Sequence, residues 1–175
     1  MMIRTIRPQD DESLAAIIRN NLREYGLDIP GTAYFDDSLD HLSSYYGQKD
    51  KDRVYLVLED DDQTLLGGVG LERMPEENVF AGSLRGKTSG ELQKLYLCPE
   101  AKGQGLGRLL VESIEREACN RGLELIYLET HTCLESAIHL YEKLGYEQIK
   151  RPDFVVHSAM DRFYIKRILY GNADL

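Results

Sequence analysis

The chain has 175 residues, of which 30 are acidic and 21 are lysine or arginine, giving a formal net charge of −9. This length suits a single domain with one hydrophobic core, predicted to span residues 1–175. The acidic balance argues against sequence-independent binding to nucleic acid, which needs a basic face. No apolar run approaches the roughly 20 residues of a membrane span, and the N-terminus has no apolar signal core. The sequence therefore predicts a cytoplasmic protein with neither a nucleic-acid partner nor a membrane partner.

Hydrophobic periodicity predicts both strands and helices in the first half of the chain. In chain order these are a strand at 2–7, a helix from after Asp10 to near Gly26, a shorter helix at about 38–46, and strands at 54–59 and 64–73. The last two strands form a hairpin. The segment 74–88 has little periodicity, and its length predicts a loop that is either mobile or functional.

In the second half, strands and helices alternate. The predicted order is a strand at 91–97, a helix at 103–121, a strand at 123–129, a helix at 134–144, and closing strands at 146–150 and 163–169. The long helix has an apolar face made of Leu106, Leu109, Leu110, Ile114 and Ala118. Strand, helix, strand after residue 90 predicts a parallel pair with a crossover, so the whole sheet is predicted to be mixed.

Neither the cysteines nor the acidic turn between the hairpin strands predicts a metal site. Cys98, Cys119 and Cys133 lack metal-ligand spacing, which favours free thiols over a zinc site or a disulfide. The acidic run at 60–62 is typical of a solvated turn. We therefore expect no metal ion.

A glycine-rich turn joins the predicted strand 91–97 to the long helix. Gly103, Gly105 and Gly107 alternate over five residues at the start of that helix. Such a turn aims several backbone N–H groups and the positive end of a helix at one point, where a phosphate fits. Lys102 and Arg108 flank the turn, and Lys94 precedes it on the strand, so a local basic cluster is predicted in an acidic protein.

Three other kinds of glycine turn compete with this interpretation. A Walker phosphate loop closes with Gly-Lys-Ser/Thr, whereas Gly107 is followed by Arg108 and Leu109. A dinucleotide fingerprint needs a glycine where Arg108 stands, although Glu129 ends the next strand about where a ribose-binding acid would lie. A dinucleotide-dependent enzyme and a tight turn without a ligand both stay open as alternatives from the residues alone.

Two motifs carry a family resemblance. The pattern Leu95-Tyr96-Leu97-x-Pro99-x-x-Lys102-Gly103-Gln104-Gly105-Leu106-Gly107-x-x-Leu110 resembles the acyl-CoA-binding motif of the GNAT N-acetyltransferase superfamily. The downstream run Ala137-Ile138-His139-Leu140-Tyr141-Glu142-Lys143-Leu144-Gly145-Tyr146 resembles that family's second motif. The resemblance implies a single-domain α/β (α+β) fold with a central mixed sheet of about six to seven strands flanked by helices. Splayed parallel strands would form the acetyl-CoA cleft.

The resemblance also implies acetyl-CoA as co-substrate. Its implied binding residues are Leu95, Tyr96, Leu97, Lys102, Gly103, Gln104, Gly105, Leu106, Gly107 and Arg108. The backbone of Leu95 and Leu97 would hold the pantetheine arm like an added strand. Two positions depart from the family pattern. Lys102 stands where arginine or glutamine is usual, and Cys133 and Leu134 occupy the region of an asparagine that bonds pantetheine in many relatives.

The implied reaction is transfer of an acetyl group to a primary amine of a small molecule or peptide by direct attack in a ternary complex. Helical spacing alone indicates that Tyr141 is a core residue, while the resemblance places its hydroxyl near the thioester sulfur, where it can donate a proton. Glu91 begins the central strand and is the first candidate base. Glu129 and His131, at the end of the neighbouring strand, are alternative bases.

Acceptor recognition is predicted to use the segments 27–37 and 74–88. Tyr34, Phe35, Asp36 and Asp37 suit a cationic amine. A non-catalytic acyl-CoA sensor is the alternative function, with an intact phosphate turn but no working acid or base. Because relatives are often dimers, the resemblance extends to a homodimer.

Overall fold

A mixed β-sheet forms the centre of the protein. The computed structural model describes residues 1–47, 52–76, 80, 82–155 and 157–168, and within these residues the sheet has seven strands. The strands are β1 Met2–Thr5, β2 Arg53–Glu59, β3 Leu65–Arg73, β4 Ser89–Leu97, β5 Leu125–Thr130, β6 Glu147–Ile149 and β7 Arg162–Arg167. The helices are α1 Asp11–Glu24, α2 Leu42–Tyr45, α3 Leu106–Asn120 and α4 Glu135–Lys143.

The sheet order is β1-β2-β3-β4-β5-β7-β6. All neighbouring strands in it are antiparallel except β4 and β5, which run parallel with α3 as the crossover. The mixed sheet and its parallel pair, predicted from the alternation of elements, are confirmed. None of the helices described is both long enough and apolar enough to cross a bilayer.

The parallel pair separates along its length. β4 and β5 are in register only from Ser89 opposite Leu125 to Glu91 opposite Tyr127. β4 then continues to Leu97 against β3 alone, while β5 continues to Thr130 against β7. A cleft therefore opens between the carboxyl ends of the two strands, which is the splay that the family resemblance implied.

Side chains alternate between the two faces of the sheet, so each face has its own core. On β2, Val54 and Leu58 pack in the cluster that includes α3, whereas Tyr55 and Val57 pack in the cluster that includes α1. Burying one leucine side chain fully contributes roughly 1.5–3 kcal/mol, and the core of the α3 face contains many such side chains. These two cores, with a third cluster that includes Leu125 and Tyr127 of β5, hold the separated strands in place.

Some boundaries differ from the predicted ones. The helix predicted at 38–46 is a 3₁₀ turn at Leu39–His41 followed by the four-residue α2. Ser43 explains part of this break, because its backbone N–H and its hydroxyl donate to the Asp11 carboxylate at 2.7 and 2.6 Å and fix the chain to α1. On α3, Leu109 is 38% exposed, and Val111 takes its place in the core. Parts of the predicted 74–88 loop (77–79 and 81), and the end of the last predicted strand at residue 169, lie outside the described residues.

Candidate active site

The turn before α3 presents unpaired backbone N–H groups. Gly103 and Gly105 each have a φ of +77°, a left-handed conformation that glycine adopts without strain, and α3 therefore starts at Leu106 rather than at the predicted Gly103. Within the described residues, no backbone or side-chain acceptor is bonded to the N–H groups of 103–108. A helix N-terminus and five of these residues, Gly103, Gly105, Leu106, Gly107 and Arg108, line a cavity of about 410 Å³.

The flanking basic side chains already have acidic partners. Lys102 Nζ lies 2.7 Å from Glu24 Oε2, and Arg108 Nε lies 2.7 Å from Glu112 Oε1. Both pairs are partly exposed, so each is worth little and can exchange for a bound polyanion. Lys94 does not belong to this cluster, contrary to the sequence prediction. Its side chain is 6% exposed and its Nζ lies 2.6 Å from Asp36 Oδ2, in a different part of the cleft.

The separation of β4 and β5 makes a second cavity, of about 80 Å³, which connects the turn with the interior of the cleft. It shares Leu95, Tyr96, Leu134 and Ala137 with the cavity at the turn. Tyr141 of α4 lines it and is 5% exposed, with its ring packed edge-on against Tyr146. Burial raises the pKa of the Tyr141 hydroxyl, so this group carries its proton at neutral pH.

A β-bulge gives β4 its shape at the middle of the cleft. The pairing with β3 jumps from Gly70–Gln93 to Gly68–Tyr96, and Lys94 has a φ of +49°. The Tyr55 hydroxyl donates to the Lys94 carbonyl at 2.8 Å from below. A Cβ at Gly68 would lie 2.4 Å from the Tyr55 ring, so this glycine makes room for the tyrosine that supports the bulge.

Glu91, Glu129 and His157 meet at the deep end of the cleft, beside a third cavity of about 540 Å³. One donor atom from each lies within 4.8 Å of the others. Burial, and then the charge of Glu129, raise the pKa of Glu91 to about 7, although Gln93 donates to Glu91 Oε2 at 2.8 Å. Burial likewise raises the pKa of Glu129. Such a spacing also occurs in metal sites; the absence of a metal stays a prediction.

Asp36 joins two segments over this cavity. It accepts from His157 Nε2 at 3.1 Å and pairs with Lys94. Burial disfavours its ionisation, but the hydrogen bond from His157 and the charge of Lys94 prevail and lower the pKa of Asp36 to about 2. The hydrogen bond that His157 donates to Asp36 in turn raises the pKa of His157. The segment around Asp36 is thereby fixed to β4 and to the segment before β7.

Only part of the predicted acceptor segment faces the cavity. Asp36 and Asp37 line it, whereas Tyr34 bonds Arg23 and Phe35 is 57% exposed. His131, an alternative base, does not line this cavity; its Nδ1 lies 3.0 Å from Cys133 Sγ.

Several cavity residues were missed by the sequence reasoning. They are Gln93, His157, Tyr45, Glu72 and Phe154. Gln93 and Glu72 lie on predicted strands next to Glu91, so strand alternation could have suggested them. His157 lies in an irregular segment and has no comparable signal in the sequence.

Comparison with known proteins decides the family. A model of the acetyltransferase (GNAT) family matches residues 16–146, about three quarters of the chain. The chain belongs to the GNAT acetyltransferase family. It is 34% identical over 151 residues, covering 85% of this chain and 83% of the relative, to "Uncharacterized N-acetyltransferase YjgM" of Escherichia coli (strain K12).

Solved GNAT structures share the fold. An acetyltransferase of the GNAT family from Staphylococcus aureus Mu50 superposes with a TM-score of 0.79 at 18% identity, covering 96% of this chain and 99% of that one. Spermidine N-acetyltransferase from Vibrio cholerae, in complex with CoA and spermine, gives a TM-score of 0.66 at 22% identity, covering 95% of both chains. This protein is thus a GNAT acetyl-CoA-dependent N-acetyltransferase, as its sequence motifs implied.

The turn before α3 suits the co-substrate of GNAT enzymes. Acetyl-CoA carries a diphosphate, and the free N–H groups of 103–108 have the donors and the positive helix end that a diphosphate needs. A Cβ at Gly103 or Gly105 would meet nothing within 4 Å, so the space beside both glycines is open to a ligand.

Proposed function

We propose that this GNAT enzyme transfers the acetyl group of acetyl-CoA to a primary amine of a small molecule or peptide, by direct attack in a ternary complex. One observation carries the proposal: Glu91 and Tyr141 line the same cavity between β4 and β5. That cavity adjoins the phosphate turn on one side and the acceptor cavity on the other. A base and an acid therefore face the point where donor and acceptor would meet. We assign this activity to the chain as one domain, 1–175.

The donor half of the site comprises residues of β4 and the turn. The backbone of Leu95 and Leu97 would run along the pantetheine arm, with Tyr96 and Leu106 contributing to the wall. The Leu97 carbonyl already accepts from Asn21 Nδ2 at 2.9 Å, which holds α1 against this strand. The N–H groups of Gly103, Gln104, Gly105, Gly107 and Arg108 would grip the diphosphate, with the Lys102 side chain adding charge.

Glu91 would be the general base. An alkylamine has a pKa near 10.4, so at pH 7 only about one molecule in 2,500 is neutral and able to attack. The elevated pKa of Glu91 makes it a stronger base than an exposed carboxylate. It would take one proton from the ammonium; the nitrogen then forms its bond to the acetyl carbon as the C–S bond breaks. After the attack, the nitrogen loses a second proton as the amide forms, and this loss balances the proton that the sulfur of CoA receives.

Tyr141 would supply the sulfur's proton, since it is buried and protonated at the wall of the cleft. We expect Tyr141→Phe to lower kcat about 100-fold with an unchanged Kd for acetyl-CoA, because the phenol acts only as the C–S bond breaks. Tyr146→Phe is the matched control: among the described residues the buried Tyr146 hydroxyl has no hydrogen-bond partner, and its ring touches Tyr141. For both variants, steady-state thiol release gives kcat and a stopped-flow titration gives the Kd for acetyl-CoA. Equal losses in the two variants would contradict the assignment.

The acceptor cavity supports a cationic amine. Five acidic side chains line it: Asp36, Asp37, Glu72, Glu91 and Glu129. The spermidine acetyltransferase with the same fold was crystallised with spermine, which carries several amines. The decisive experiment measures CoA thiol release with polyamines, amino acids, aminoglycosides and peptide amines. No release with any amine would leave only acyl-CoA binding, as in a sensor, and no preference for cationic acceptors would contradict the cavity assignment. The homodimer and the cytoplasmic location stay predictions of the sequence.

A further inference from the structure

Glu129 carries a buried carboxylate oxygen that lacks a hydrogen-bond partner among the described residues. Its side chain is 6% exposed, and its Oε1 accepts from the Tyr127 hydroxyl at 3.1 Å. Within the part of the chain that the structure describes, no group reaches its Oε2 with hydrogen-bond geometry, and His157 Nδ1 lies 3.8 Å away. The His157 backbone N–H also faces this carboxylate and favours its ionised form. Leaving a buried charged acceptor unpaired is costly, so such atoms are uncommon and are usually completed by water, an ion or a ligand.

The positive groups around Glu129 are bonded to other partners. The Arg151 guanidinium, whose charge favours the ionised form of Glu129, donates to the Met160 carbonyl at 2.9 Å. From β4, Lys94 pairs with Asp36 and Glu91 adds a second negative charge. The segment before β7 contributes His157, whose Nε2 also bonds Asp36. Within the described residues no lysine or arginine forms an ion pair with Glu91 or Glu129. Two adjacent carboxylates with one vacant oxygen therefore face the cavity and together favour an added positive charge.

We propose that Glu129 binds the ammonium group of the acceptor and holds it beside Glu91, an inference that rests on the proposed function. An ammonium has three N–H donors, so it can bond the vacant Glu129 oxygen and reach Glu91 at the same time. Glu91 takes one of those protons, and Glu129 stays ionised throughout. Both carboxylates line the wall that the cleft and the acceptor cavity share, where the nitrogen must sit to attack.

This division of roles predicts which acceptors are used. A buried carboxylate selects amines that are protonated in solution. Its negative charge compensates for the water that the ammonium group loses on binding. Weakly basic aromatic amines, which are neutral at pH 7.5, gain nothing from it. Dependence on Glu129 should therefore track the charge of the acceptor rather than its size.

Glu129→Gln tests the inference, because the amide keeps the shape and removes the charge. With CoA bound, we expect calorimetry at pH 7.5 to show spermidine or benzylamine binding at least tenfold more weakly than to the wild type. Binding of acetyl-CoA should be unchanged, and kcat/KM for aniline should change less than threefold. Glu147→Gln is the matched control: it makes the same chemical change at an exposed glutamate of β6 that lines neither cavity, so we expect less than a threefold effect.

Thermal unfolding separates this role from a structural one. Burial raises the pKa of Glu129, so its ionisation opposes folding, and the Gln variant should melt at a higher temperature at pH 8. Lower melting temperature together with weaker binding would indicate a structural residue and overturn the inference. The inference would also be overturned if the wild type bound no alkylammonium compound, or if Mn²⁺ bound to Glu91, Glu129 and His157 and excluded the amine. If Glu129→Gln leaves the rate of thiol release unchanged, the inference is overturned but the proposed function is not. If ammonium compounds bind but no thiol is released, the proposed function is overturned but the binding role of Glu129 is not.

Discussion

Glu91→Gln lowers kcat by about 10²–10⁴-fold while acetyl-CoA still binds, because the variant cannot take a proton from the acceptor. In the wild type, kcat/KM rises with pH through a midpoint near 7, the pKa to which burial and Glu129 raise Glu91. The variant loses that rising limb. Steady-state thiol release between pH 5.5 and 9 measures both effects, with the exposed Glu12→Gln as control. An unchanged profile in the Glu91 variant would assign deprotonation to another group.

The same substitution has the opposite effect on stability. A carboxyl whose folded-state pKa is raised from 4.5 to about 7 favours the folded state below pH 4.5. That contribution disappears as the pH rises through 7, because the unfolded state ionises more readily. Glu91→Gln therefore raises the unfolding temperature at pH 8 relative to the wild type and changes it little at pH 4. Scanning calorimetry at the two pH values checks the sign.

Gly105→Glu raises the Kd for acetyl-CoA at least 100-fold. A carboxylate about 4 Å from a phosphate charge costs about 4 kcal/mol at an effective dielectric constant of 20, and the diphosphate carries more than one charge. Gly105 has open space beside its backbone, so the side chain does not clash with the protein itself. Calorimetric titration with acetyl-CoA measures the loss.

Gly122→Glu is the matched control for that change. Gly122 has a φ of +72°, lies just beyond the other end of α3, and also has open space beside it. Both variants thus introduce the same charge and a similar left-handed strain, roughly 1–2 kcal/mol, on one helix. Only the Gly105 variant should lose acetyl-CoA. Equal binding of acetyl-CoA by the two variants would contradict the assignment of the diphosphate to the turn before α3.

The sequence predicts the fold well because the fold rests on periodic signals. The apolar stripe of α3 and the near-continuous apolar run of β5 identify a crossover between buried parallel strands. The parallel register then sets Glu91 opposite Tyr127, with Glu129 two residues further on the same face. The nearness of the two carboxylates is therefore foreseeable once the strands are paired.

Other features of the site have no local signal. Lys94 adopts a left-handed conformation that lysine rarely takes, and the constraint comes from Tyr55 on another strand. The sequence placed Lys94 with the phosphate turn because it precedes that turn along the chain. The bulge instead directs it toward Asp36. His157 reaches the cavity through an irregular segment whose path depends on packing between distant parts of the chain.

The tyrosines under β4 connect the stability of the fold with the rate of the reaction. Tyr46 and Tyr55 are fully buried, yet their hydroxyls end on Gln93 and on the Lys94 carbonyl, next to the reacting groups. A side chain added at Gly70 would strike the Tyr46 hydroxyl region at 2.7 Å. Substitutions of these interior tyrosines would consequently alter turnover as well as folding. Adaptation to new acceptors is easier on the exposed rim around Asp37 than on this inner wall.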